Sequence, residues 1–306
     1  MHDNAFSEKS LTKKRHGMFV RLLFYLILYP ISILPLTVVY LLFLPFFVIT
    51  NFILRYRHNV ATKNLRQSFP DMSMRQIRKL RTANYYHLTL VAAEMLKMLT
   101  ISRKNVMKRY RCVNPEVVNK FYDEGRSVIL MSSHYNNWEW MVLSIDMQFK
   151  HHGIGIGAHN SDKVFEKIIN RARTRYGDEI AFASNIREIM KENEKNHKPC
   201  AYMFLSDQCP SNPQRCYVTD FLNRRTGFIR GAEGFAKKYD IPVLYYEVIK
   251  DHIGYYHFEV KVLSEHPAEL PDGAIMQKYA ECLEETIKRK PEHWLWTHRR
   301  WKHNFE

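Results

Sequence analysis

The chain has 306 residues, 46% of them hydrophobic and only 11 glycine, which excludes a disordered or collagen-like protein and leaves one large domain or two small ones. Lys and Arg number 46 against 31 Asp and Glu, a formal charge of +15 that calls for an acidic partner. The excess is +3 over residues 1–54, +12 over 55–111, −4 over 112–287 and +4 over 288–306, so it sits on the flanks and suits anionic lipid headgroups better than a nucleic-acid groove. The five cysteines, Cys112, Cys200, Cys209, Cys216 and Cys282, contain no C-x-x-C pair, which points to reduced, cytosol-facing thiols and to neither a disulfide framework nor a metal site.

From Leu22 to Leu54 there is no Asp, Glu, Lys, Arg or His, a run of 33 residues. A bilayer needs roughly 20 helical residues to cross, and a signal peptide has an apolar stretch of only about 7–15, so residues 1–56 are expected to form a membrane anchor with basic flanks. Pro30, Pro35 and Pro45 predict a break or bend near the middle, as one span or a re-entrant hairpin. Cations on both sides of the run, Lys13, Lys14 and Arg21 before it and Arg55 and Arg57 after it, give no clean orientation. Residues 57–306 would then be a single catalytic domain.

After the apolar run, Arg57 to Pro70 reads as a short amphipathic helix that ends at the proline. Ser73 is placed to cap a second helix, in which Ile77, Leu80, Asn84, Leu88, Val91, Met95 and Leu99 recur at steps of three and four. Arg75, Arg78, Lys79 and Arg81 cluster in its first turns, as a solvated face or as a collar for lipid headgroups.

The run Ser127–Ser133 is apolar and β-branched, predicts a buried strand, and ends on His134. A helix follows, capped by Asn136 or Asn137. His134 and Glu139 are five residues apart, which within one helix would set them about 140° apart. Across a strand–turn–helix the chain doubles back, and the Glu139 carboxylate could reach one imidazole nitrogen while the other stays free. Such a pair suits a general base that takes a hydroxyl proton. Against this, Asn136 and Glu139 also fit a capping box, in which the carboxylate merely satisfies helix amides.

Further on, helices are expected at Val164–Tyr176, Ile186–Asn196, Phe228–Tyr239 and Ala274–Lys290, and strands at Ala201–Leu205, Val243–Val248 and His257–Leu263. This alternation predicts an α/β fold with a largely parallel sheet and flanking helices, whose site lies at the carboxyl ends of the strands, where His134 and Asp207 both fall. The tail His293–Lys302 mixes tryptophan with cations and reads as a membrane-interface anchor, a phosphate clamp or a segment packed on the core.

Taken together, these residues resemble the His-x4-Asp/Glu acyltransferases, and most closely the late acyltransferases of lipid A biosynthesis. The similarity runs through His134-x4-Glu139, Asn64-Leu65-x3-Phe69-Pro70, Glu94, Arg171-x-Arg173-x-Arg175, Ser206-Asp207-Gln208, Phe221-x5-Gly227-x3-Gly231 and Trp296 to Lys302. It implies a glycerolipid-acyltransferase-like fold at the cytoplasmic face of the inner membrane and transfer of a fatty acyl chain from acyl carrier protein to a hydroxyl of an anionic lipid A precursor. His134 would be the base and Glu139 its partner, with Arg173 and Asp207 as further catalytic residues. Arg171, in an alternative register, would join Asn136, Asn137 and Gln208 in binding substrate. No cofactor, metal or nucleic acid enters this chemistry, because a thioester already carries its leaving group and needs no Ser or Cys nucleophile. The Pro-Glu-Gly-type phosphate-binding segment of glycerolipid acyltransferases is absent. The rival readings are an O-acyltransferase for another membrane lipid and a non-catalytic basic tether.

Overall fold

The computed structural model describes residues 17–305. Its centre is a seven-stranded sheet of β1 (Tyr110–Cys112), β2 (Val128–Ser132), β3 (His152–Gly157), β4 (Glu179–Phe182), β5 (Cys200–Leu205), β8 (Val243–His252) and β9 (Tyr255–Ser264), in the order β1-β9-β8-β2-β5-β3-β4. Every pairing is parallel except β8 with β9. A separate antiparallel hairpin joins β6 (Cys216–Phe221) to β7 (Arg224–Ile229). The predicted largely parallel α/β architecture is therefore correct. The β2 run is buried at every residue because it lies between β5 and β8 with helices over both faces.

The helices, in chain order, are α1 (Leu36–Val48), α2 (His58–Ser68), α3 (Met74–Lys97), α4 (Arg103–Arg109), α5 (Glu116–Asp123), α6 (Trp138–Gln148), α7 (Lys163–Arg173), α8 (Ile186–Lys195), α9 (Gly231–Tyr239) and α10 (Ala274–Arg289). α1 continues in a wider turn over Ile49–Ile53 and is preceded by an apolar helical arm over Gly17–Ile33. Leu36–Ile53 is long and apolar enough to cross a membrane. Of the three prolines only Pro35 stops the helix, at an extended ψ of 140°. Ser73 caps α3 in a full capping box with Gln76.

Strands β1, β3, β4 and the β6–β7 hairpin were not expected. Phe228, taken as a helix start, belongs to β7, and α9 begins only at Gly231. β3 reads His-Gly-Ile-Gly-Ile-Gly, a composition of low strand propensity. Its glycines serve close approach: a Cβ at Gly153 would lie 2.6 Å from Ile145 Cβ, and one at Gly155 2.8 Å from Val142 Cγ1, so α6 can sit down on the strand.

The tail packs on the core and is not an interface anchor. Trp294 and Trp296 are buried, and Asn84 Nδ2 donates to the Trp294 carbonyl at 2.6 Å while Asn64 Nδ2 donates to that of Trp296 at 2.9 Å. Arg299 and Lys302 are exposed, whereas Arg300 is buried over the Phe228 ring.

Candidate active site

Strand register assembles the site. Ser132 on β2 is paired with Leu205 on β5, so two residues beyond each strand end His134 meets Asp207, although 73 positions separate them in sequence. His134 Nδ1 lies 2.7 Å from Asp207 Oδ1, and the His134 amide donates to Asp207 Oδ2 at 3.0 Å. Trp294 Nε1 donates to the same oxygen at 2.9 Å. With Nδ1–H given to Asp207, Nε2 carries the lone pair and accepts from the Gln208 side-chain amide at 3.1 Å. Burial alone would raise the Asp207 carboxyl, but His134, the Trp294 indole and the His134 amide hold it below the usual carboxylate range.

Glu139 does not touch His134 as expected. In the first turn of α6 its carboxylate takes both arms of Arg173 on α7, Nε to Oε2 at 2.8 Å and a terminal nitrogen to Oε1 at 2.7 Å. The reason is direction: α6 starts at Trp138, and a side chain one residue later points across the helix toward α7 rather than back to the strand end. The bidentate pair is buried on the Glu139 side and a quarter exposed at Arg173. Glu139 raises the guanidinium further against the effect of burial, so Arg173 is a fixed cation. It also donates to Asn170 Oδ1 at 3.2 Å, which leaves two of its N–H groups without a partner among the described residues.

His134, Glu139, Arg173 and Gln208 line one cavity of about 520 Å³, whose other walls are largely apolar: Val142, Ile156, Ile180, Met203 and Phe235 among them, with Gly155 and Gly157 of β3 as a thin wall. That size falls within the ordinary range for small-ligand sites. The remaining expected residues go elsewhere. Asn136 and Asn137 are fully buried. Asn136, at φ 54°, donates to the Val248 carbonyl at 2.8 Å, and Asn137 caps α6 through Trp140 N and donates to Glu94 at 2.7 Å. They hold the turn and do not face the cavity. Arg171 stays exposed on α7, outside the cavity lining, so of the two registers only Arg173 reaches the site. Trp294 was missed as a site residue; its place in a Trp-rich tail was visible, but its contact with Asp207 depends on how that tail threads through the fold.

An imidazole held by a carboxylate at strand ends, a fixed cation and an apolar chamber are the arrangement that suits a group-transfer enzyme acting on a substrate with an apolar part. The family model for bacterial lipid A biosynthesis acyltransferases matches residues 5–303, nearly the whole chain. The chain is 22% identical over 255 residues to the lipid A biosynthesis palmitoleoyltransferase of Escherichia coli (strain K12), covering 81% of this chain and 80% of that one. The same identity and coverage hold for a lipid A biosynthesis acyltransferase of Shigella flexneri. The chain belongs to the bacterial lipid A biosynthesis acyltransferase family and is an acyltransferase of that biosynthesis.

Proposed function

We propose that the enzyme moves a fatty acyl chain from acyl carrier protein to a hydroxyl of a lipid A precursor, with His134 as the general base. The observation that carries this reading is the polarity of His134: Nδ1 is committed to Asp207 while Nε2 lies at the cavity, where it meets the side-chain amide of Gln208. An incoming hydroxyl displaces that amide and gives its proton to Nε2, and its oxygen attacks the thioester carbonyl. Asp207 stabilises the imidazolium that forms. The tetrahedral intermediate carries its negative charge on the former carbonyl oxygen, where the unpartnered N–H groups of Arg173 supply stabilisation. Collapse breaks the carbon–sulfur bond, and the imidazolium proton passes to the departing thiolate. The acyl chain lies along the apolar walls toward Phe235 and the β3 glycines.

Glu139 is a positioning residue for Arg173 in this scheme, which corrects the expectation that it orients His134. Residues 1–56 would anchor the chain to the inner membrane and residues 57–306 carry catalysis on its cytoplasmic face, with the basic borders meeting the anionic acceptor. Transfer of acyl chains from acyl carrier protein to a lipid A precursor, measured with purified full-length enzyme, tests the proposal: His134→Ala should abolish it. Undiminished transfer by that variant would overturn the base assignment.

A further inference from the structure

A helix that crosses a bilayer is wrapped by lipid for about 30 Å of its length. α1 is not placed for that. It runs antiparallel along α3 from end to end. Just ahead of α1, Lys97 Nζ donates to the Ser32 and Leu34 carbonyls at 2.9 and 2.8 Å. In its middle the Tyr40 hydroxyl donates to Glu94 at 2.6 Å. Further on the Phe47 ring meets Tyr86 edge-on at 5.7 Å, and beyond it Asn51 bonds His58 at 3.1 Å. The preceding arm is tied at both of its ends as well. At its start a Cβ on Gly17 would lie 3.4 Å from Val164 on α7, and toward its close Leu28 and Ile31 pack on the core.

The far side of α3 is core, holding buried Asn84 and His87 against the tail, and the β8–β9 turn reaches α1 too, where a Cβ on Gly254 would lie 2.6 Å from the Tyr40 hydroxyl. Were α1 to stand across a bilayer, α3, this turn and the sheet behind them would be carried to hydrocarbon depth. Lipid does not tolerate irregular backbone and an open sheet edge there.

The other face of the apolar segment is bare, with Leu26 70%, Leu41 61% and Ile53 68% exposed. Cations border both ends. Arg55, Lys63, Arg66, Arg78 and Arg81 line adjoining clefts where α1 runs out, and Arg103, Lys104 and Lys108 lie exposed on α4, the helix whose Arg109 reaches the cavity beside the start of α1. A crossing helix would put one of these clusters on the far side of the membrane; a helix lying flat puts both among headgroups.

We infer that residues 17–54 do not cross the bilayer. They form a bent pair of helices lying in one leaflet, the bare face in the acyl layer and both basic borders among anionic headgroups. The partner surface is an anionic lipid monolayer. This rests on the proposed membrane location but not on acyl transfer, so its failure is read separately.

The test is sidedness of labelling by a membrane-impermeant maleimide, in right-side-out spheroplasts and in inverted vesicles, with the five native cysteines replaced by Ser. Ser10→Cys and the surface reference Asn196→Cys should label from the same face, and Ile33→Cys, next to the bend, should never label from the opposite one. Labelling of Ser10→Cys from the face opposite Asn196→Cys would show a single crossing. Labelling of Ile33→Cys from that opposite face would show a transbilayer hairpin; either overturns the inference. Because the cysteine-free background could misfold, an epitope tag ahead of residue 1 on the otherwise native chain gives a second measurement. Antibody should reach it in inverted vesicles and not in spheroplasts, and the reverse result overturns the inference.

Discussion

Two carboxylates hold the charged groups that line the cavity, His134 and Arg173, equally buried and in opposite circumstances. Asp207 lies just past a strand end, accepts three hydrogen bonds and holds an imidazole. Glu139 lies in the first turn of a helix and holds a guanidinium. The strand-end region is fixed by the register of two neighbouring parallel strands inside the sheet. The helix region depends on α6 and α7 keeping their mutual packing. A proton-transfer role fits the first and a charge-stabilising role the second. In this fold the acid of the His-x4-Glu pattern thus serves the cation, and the histidine draws its own acid from another strand.

The largest effect should come from the strand-end pair. His134→Ala is expected to lower kcat about 10³–10⁴-fold, and Asp207→Asn about 10²–10³-fold with little change in KM, since general-base catalysis is worth on that order. For the helix pair, Arg173→Ala is expected to cost about 10²-fold in kcat, the scale of losing one oxyanion donor. Glu139→Gln should cost less, because the guanidinium stays in place with one weaker partner. If Glu139 acts only through Arg173, the double variant should be no worse than Arg173→Ala alone. The comparison would break if Glu139→Gln matched Asp207→Asn in kcat, for then Glu139 would serve His134 after all. A smaller effect, about tenfold in kcat, is expected from Trp294→Phe, which keeps the packing and removes one hydrogen bond to the Asp207 carboxylate.

Why sequence reached His134 and Asp207 separately but not their pairing follows from the same geometry. Each ends an apolar run that reads as a strand, and an α/β sheet gathers its site at such ends. That β2 lies beside β5, in a register that sets position 134 against 207, is a long-range property that no local pattern carries. The five-residue spacing drew Glu139 toward His134 because it was the only acid within local reach. Arg171 and Arg173 could not be separated before the facing of α7 was known, since steps of two along a helix put them on different faces. Asn136 and Asn137 look like substrate ligands in a motif, yet a turn with positive φ and a helix cap consume them first. β3 escaped notice because glycine, which permits α6 to approach, is the residue that usually argues against a strand.

The smallest and most discriminating prediction concerns acid. The Asp207 carboxyl is held below its ordinary range in the folded state, so protons bind it more readily in the unfolded chain. Its stabilising contribution is therefore fully present above the unfolded carboxyl range, about pH 4, and is lost as pH falls through the lower folded value. Asp207→Asn cannot titrate at this position. The difference in Tm between wild type and Asp207→Asn should accordingly be level from about pH 5 to 8 and shrink below about pH 4. Thermal unfolding of both proteins in one detergent across this range checks it. A difference that stays level down to the lowest accessible pH would mean that Asp207 gains nothing from His134 and Trp294, and the contrast between the two carboxylates would lose its physical basis.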